Sequence, residues 1–145
     1  MNIAIVGATG NVGRKILEVL EKKELAIDNL YLLASSRSAG SKINFNGNEH
    51  EVIDLETFDF SKVKITFFAA GGKISENFAE IAAKHSLVID NSSFYRMDPD
   101  VPLIVPQVNS DHLNNIKKNI IANPNCSTAQ LVIALKPLHD LFKIK

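Results

Sequence analysis

The feature that most constrains this chain is a junction near its start. Four apolar residues, Ile3-Ala4-Ile5-Val6, run straight into Gly7-Ala8-Thr9-Gly10-Asn11-Val12-Gly13, and an amphipathic stretch follows. A short apolar run with helical periodicity behind it reads as a buried strand that turns sharply into a helix. Such a turn aims backbone N–H groups and the positive helix end at whatever lies beyond it, and an anionic pyrophosphate suits that place. Gly7 permits the tight turn, Gly10 removes the side chain that would block close approach, and Gly13 lets helix and strand pack closely. The spacing is G-x-x-G-x-x-G rather than G-x-G-x-x-G. A plain strand-to-helix turn is therefore the alternative to nucleotide binding.

The same alternation continues along the chain. Apolar runs at 30–34, 65–70, 87–89 and 120–122 alternate with helix-length stretches at 12–20, 78–83 and 129–141. Strand then helix, repeated, predicts a Rossmann-like α/β fold: a mostly parallel sheet with helices on both faces. Residues 42–54 break the pattern with two short stretches joined through Asn46-Gly47-Asn48. They predict a β-hairpin where a simple dinucleotide fold would place a helix. Pro99, Pro102 and Pro106 predict an irregular loop with at most a short strand at 103–105. The last helix is expected from about Ser127, with Pro137 as a kink or turn.

At 145 residues and 46% hydrophobic, the chain suits one packed domain. Sixteen basic residues balance sixteen acidic ones. No overall field favours nucleic acid or an anionic membrane, so a small ligand is expected. The first residues carry no basic stretch, and their apolar run is too short for a signal peptide or membrane span. A cytoplasmic protein is expected.

Which nucleotide binds is decided after the second strand, where an acid suits a free ribose hydroxyl and a base suits a 2′-phosphate. Here stand Ser35, Ser36, Arg37 and Ser38. The guanidinium of Arg37 matches phosphate, which favours NADP; an ordinary solvated loop residue is the alternative. Asp28 precedes the strand and belongs at the opposite sheet edge. Gly71 and Gly72 follow the apolar run at 65–70, either to let a cofactor lie against the backbone or as a plain turn.

One cysteine excludes an internal disulfide and a multi-cysteine zinc site. Cys126 stands in Asn123-Pro124-Asn125-Cys126-Ser127-Thr128, at a strand end where a helix begins. A helix N-terminus favours thiolate over thiol, so the residue reads as a nucleophile rather than a buried apolar side chain. A thiolate beside a nicotinamide implies a thiohemiacetal, hydride transfer and a thioester. An acid/base partner is also needed. His139 lies thirteen residues further along the expected helix, roughly 20 Å at 1.5 Å per residue, out of reach. His50, His85 and His112 read as surface residues.

Taken together, 7–13, 34–40, the stretch from Asp90 to Asn109 and 123–128 resemble aspartate-semialdehyde dehydrogenase. The resemblance runs from end to end, and its last two stretches are long and specific. It implies NADP-dependent reductive dephosphorylation of L-aspartyl 4-phosphate to L-aspartate 4-semialdehyde, a step toward lysine, methionine, threonine and diaminopimelate. It implies that Cys126 carries the acyl group, and that Thr9, Gly10, Asn11 and Val12 with Arg37 and Ser38 bind NADP. Arg96 then binds the phosphate; a loop cation paired with Asp98 or Asp100 is the alternative. Ala69 stands where the family usually has serine, and Gln107 where it has an acid.

Family members continue into a second domain that provides the catalytic histidine and most of a homodimer contact. The resemblance therefore implies that residues 1–145 form the NADP-binding domain alone, which binds NADP but does not turn over by itself. Two other readings stand beside it. One is N-acetyl-glutamyl-phosphate reductase, whose cysteine usually follows glycine and precedes tyrosine rather than lying between Asn125 and Ser127. The other is a non-catalytic NADP-binding module.

Overall fold

A computed structural model describes residues 1–144. Its frame is a seven-stranded sheet made of β1 (Asn2–Val6), β2 (Asn29–Ala34), β3 (Lys42–Phe45), β4 (Asn48–Asp54), β5 (Ile65–Phe68), β6 (Leu87–Asp90) and β7 (Ile120–Ala122). The order across the sheet is β3-β4-β2-β1-β5-β6-β7. Every pairing is parallel except that of β3 with β4. The expected Rossmann-like sheet and its inserted hairpin are both present. Asn46 and Gly47 turn the hairpin with φ of 49° and 77°, the left-handed pair that a two-residue turn between twisted strands requires.

Helix α1 (Asn11–Lys22) covers one face and α2 (Gly72–Ala83) the other. The strand β1 shows how two cores arise from one apolar run. Ala4 and Val6 join Ala79, Ala82 and Val88 on the α2 face, while Ile5 joins Leu17, Leu20, Leu32 and Val52 on the α1 face. Alternate side chains leave a strand on opposite faces, so a strand covered twice must be apolar throughout.

Helix α3 (Pro106–Asn109) and α4 (Cys126–Phe142) complete the fold. One proline expectation needs correction. Pro106 opens α3 rather than merely breaking the loop, because the first helical position has no use for an N–H donor. Asn109 fastens that turn: its side chain accepts from Val105 N and donates to Leu103 O, both at 2.9 Å. The short strand at 103–105 reduces to a single parallel bridge between Leu103 and Ala122. Pro137, read as a kink or turn, lies inside α4, which runs on to Phe142 and stops where Lys143 adopts φ of 53°. No residue of α4 is buried, and Leu131, Leu138, Leu141 and Phe142 stand exposed. Among the described residues, no helix is long and apolar enough to cross a membrane.

Candidate cofactor and thiol site

The strands β1, β2, β4, β5, β6 and β7 run parallel, so their carboxyl ends share one edge. At that edge the glycine loop is shaped by two steric facts. Gly7 has φ of 85°, and a Cβ on it would lie 2.8 Å from the Ala69 carbonyl. Gly13 is buried, and a Cβ there would come within 2.2 Å of Gly7 O. Both positions exclude any larger residue. Gly10 differs: a Cβ would meet only Gly7 O at 3.4 Å. Its open side faces outward, as a backbone approached by a ligand requires.

Beside this loop lies a cavity of about 340 Å³. Gly7, Thr9, Gly10 and Ser35 line it, with Ala69 and Ala70 from the turn after β5. Asn11 and Val12 stand exposed on the first turn of α1, Val12 with half its surface open. Arg37 and Ser38 sit in the turn beyond Ser35, where Ser38 N donates to Ser35 O at 2.8 Å, and neither lines the cavity. Arg37 is exposed and has no ion pair among the described residues. Gly71 precedes α2 with φ of 87° and open space above it, and Gly72 begins the helix. Asp28 pairs with the amino group of Met1 at 2.7 Å, at the opposite edge as expected.

Two acidic lining residues, Asp54 and Glu56, were not among the residues expected from sequence. Asp54 ends β4 directly beside Ala34 of β2. An acid at the carboxyl end of a strand was the available signal, but the hairpin hid it. Only the parallel pairing of β4 with β2 brings it to the cavity.

Across the sheet, Cys126 is exposed and is the first residue of α4. Asn125 caps the helix, its Oδ1 accepting from Ser127 N at 3.0 Å and from Ser127 Oγ at 2.6 Å. Behind the thiol, polar side chains tie three strand ends together. Asn91 Nδ2 donates to Phe68 O at 3.2 Å, and Asn123 Nδ2 donates to Asn91 Oδ1 at 2.7 Å. Arg96 donates to Asn123 O at 2.9 Å and to Asn91 O at 3.0 Å. Asp98 and Asp100 instead engage Lys118 and Lys117. The hydrogen bond from Lys118, with that from Asp100 N, holds the Asp98 carboxyl below its usual range. The alternative of Arg96 paired with these acids is thereby excluded.

The segment carrying Arg96 is anchored from below. Asp90 is fully buried and accepts from Ser75 Oγ at 2.8 Å, Ser92 N at 3.0 Å and Ser92 Oγ at 2.7 Å. Tyr95 is buried beside it with no partner for its hydroxyl, and burial pushes its phenol up to about 12. Neither Asn91, Asn123 nor Asp90 was singled out from sequence.

A parallel α/β sheet with a glycine turn, a cavity at its carboxyl edge and a helix-start cysteine defines a dinucleotide-binding oxidoreductase domain. Residues 2–116 match the family described as semialdehyde dehydrogenase, NAD binding domain, and the chain belongs to that family. An aspartate-semialdehyde dehydrogenase of Shewanella sp. (strain DB6705) is 49% identical over 145 residues, covering 99% of this chain and 43% of that protein. The crystal structure of aspartate semialdehyde dehydrogenase II from Vibrio cholerae complexed with ASA superposes with a TM-score of 0.93 at 51% identity, over 96% of this chain and 46% of that one. The Candida albicans enzyme crystallised with NADP gives 0.78 at 30% identity, over 99% and 48%. The chain thus spans less than half the length of these relatives.

Proposed function

We propose that this chain is the NADP-binding, thiol-bearing part of an aspartate-semialdehyde dehydrogenase that reduces L-aspartyl 4-phosphate to L-aspartate 4-semialdehyde. The observation that carries the reading is that the glycine-loop cavity and Cys126 open at one sheet edge. They are separated by the spacing of β1, β5, β6 and β7, roughly 14 Å. An extended dinucleotide laid along that edge bridges the two.

The cavity fits such a cofactor: open backbone at Gly10, hydroxyls at Thr9 and Ser35, and an apolar wall behind them. NADP, when bound, supplies the hydride chemistry. The N–H groups at the start of α1, with Thr9, Asn11 and Val12, hold the pyrophosphate. Arg37 and Ser38, outside the cavity, hold the 2′-phosphate with Ser35 at the cavity's edge. The turn at Gly71 and Gly72 offers flat backbone along the cofactor's path.

The Cys126 sulfur attacks the acyl carbon of the acyl phosphate, forming a thioester as phosphate leaves. Of the five N–H donors a guanidinium carries, two on Arg96 are engaged by carbonyls. The others hold the departing phosphate. His139 lines a hollow between α3 and α4 with Val108 and Leu135, thirteen residues beyond Cys126 along the helix. The catalytic base, the homodimer contact and a cover for α4 belong, in this reading, to the part of the relatives' length that this chain does not span. The setting is the cytoplasm.

Alkylation of Cys126 by iodoacetamide at neutral pH, followed by mass, tests the nucleophile. The thiol reacts several-fold faster than glutathione in this account; a rate no faster than glutathione contradicts it. Steady-state assay with aspartate semialdehyde, NADP and phosphate tests the division of labour. These 145 residues alone give no turnover, and rates comparable to a complete enzyme would overturn that part.

A further inference from the structure

The cavity beside the glycine loop has two kinds of wall. Gly7, Thr9 and Gly10 offer peptide and hydroxyl groups, whereas Leu55, Ile74 and Phe78 offer apolar side chains. The first suits phosphate and sugar, the second a flat heterocycle. At the rim stands Asp54, half-buried, in register with Ala34 at the end of the neighbouring strand.

Its hydrogen bonding is incomplete. Oδ1 accepts from Glu56 N at 3.1 Å and so caps the 3₁₀ turn Leu55–Thr57. Oδ2 accepts nothing, and no cation pairs with the carboxylate among the described residues. A half-buried carboxylate oxygen without a protein partner at the rim of a partly apolar cavity is free to accept from an N–H of a ligand seated there. Ribose and its phosphate belong at the end of β2, near Ser35, Arg37 and Ser38. Asp54 lies one strand further from the glycine loop, across β2. A 2′-phosphate facing Asp54 would be repelled; an amine on the base would be held.

We infer that Asp54 is a specificity-determining residue that accepts a hydrogen bond from the exocyclic amine of the cofactor's adenine. The inference rests on the cofactor reading above and adds to it a residue that selects amino-purines over oxo-purines. An oxo group presents lone pairs to the carboxylate where the amine presents N–H. Asparagine at this position keeps a side-chain oxygen for the Glu56 cap and can turn an N–H₂ toward an oxo group.

The test is calorimetric titration of the chain with NADP and with its hypoxanthine analogue, in which a 6-oxo group replaces the amine. The original protein binds NADP at least about ten-fold more tightly, the size expected for losing one charge-assisted hydrogen bond at a half-open site. In Asp54→Asn the two affinities come within about two-fold, with the thermal midpoint preserved. Equal binding of both dinucleotides by the original protein, or an unchanged ratio in Asp54→Asn, overturns the role of Asp54 while leaving NADP binding intact. Failure of both dinucleotides to bind overturns the cofactor reading and the inference with it.

Discussion

The Nε of Arg96 donates to the main-chain carbonyl of Asn123 at 2.9 Å, which anchors the guanidinium to the strand end leading into Cys126. A second donation, to Asn91 O at 3.0 Å, ties it to the end of β6. Whatever anion Arg96 holds is thus presented by a group fixed to the same backbone as the thiol. Arg96→Met leaves both half-buried carbonyls short of a donor, at a cost of about 2 kcal/mol. Urea denaturation should show a lower midpoint with an unchanged slope. An unchanged midpoint would mean that the clamp contributes nothing.

The glycine loop separates steric need from ligand need. Gly13→Ala drives a Cβ to within 2.2 Å of Gly7 O and should cost about 3 kcal/mol or prevent folding. Gly10→Ala meets only an ordinary contact at 3.4 Å and should cost about 1 kcal/mol or less. Thermal melts of the two variants check the difference. A loss of NADP affinity in Gly10→Ala without a matching loss of stability reports the ligand's approach.

Much of this loop was legible in sequence, because a strand, a glycine turn and an amphipathic helix are adjacent and need no distant partner. The Asn46-Gly47 hairpin was legible for the same reason. Asp54 was not: its place at the cavity depends on β4 lying parallel to β2, a pairing across some twenty residues that no local pattern encodes. Arg96 read ambiguously because acids at 98 and 100 lie nearer in sequence than the carbonyls it uses. Only the fold shows those acids occupied by Lys117 and Lys118. Asn91 and Asn123 look like ordinary loop residues until β6 and β7 place them side by side. Pro106 misled because proline at a helix start and proline in a loop differ in their surroundings, not in their sequence symbol.

Tyr95 supplies a pH-dependent prediction. Its phenol is raised from 10.0 to about 12, chiefly by burial, with Glu80 next. A raised folded value means that the stability is fully present below about pH 10 and is lost as pH rises toward 12. Tyr95→Phe removes the unpartnered hydroxyl, so it should leave neutral-pH stability unchanged or raise it by up to about 1 kcal/mol. It should also flatten the alkaline loss. A variant clearly less stable at pH 7 would show that the hydroxyl has a partner.

Helix α4 should tolerate polar substitution in this chain. Leu141 and Phe142 are each 75% exposed. Leu141→Gln should change stability by no more than about 0.5 kcal/mol and should lower binding of a hydrophobic dye. Strong destabilisation would mean that the residue packs within these 145 residues.

The proposed binding of NADP at this sheet edge through Arg37 is tested most directly by equilibrium titration with NADP and NAD. The account predicts at least about ten-fold tighter binding of NADP, with the preference lost in Arg37→Ala and NAD affinity unaffected, as removal of a guanidinium–phosphate contact requires. Equal or tighter binding of NAD by the original chain, or a preference that survives Arg37→Ala, would contradict it.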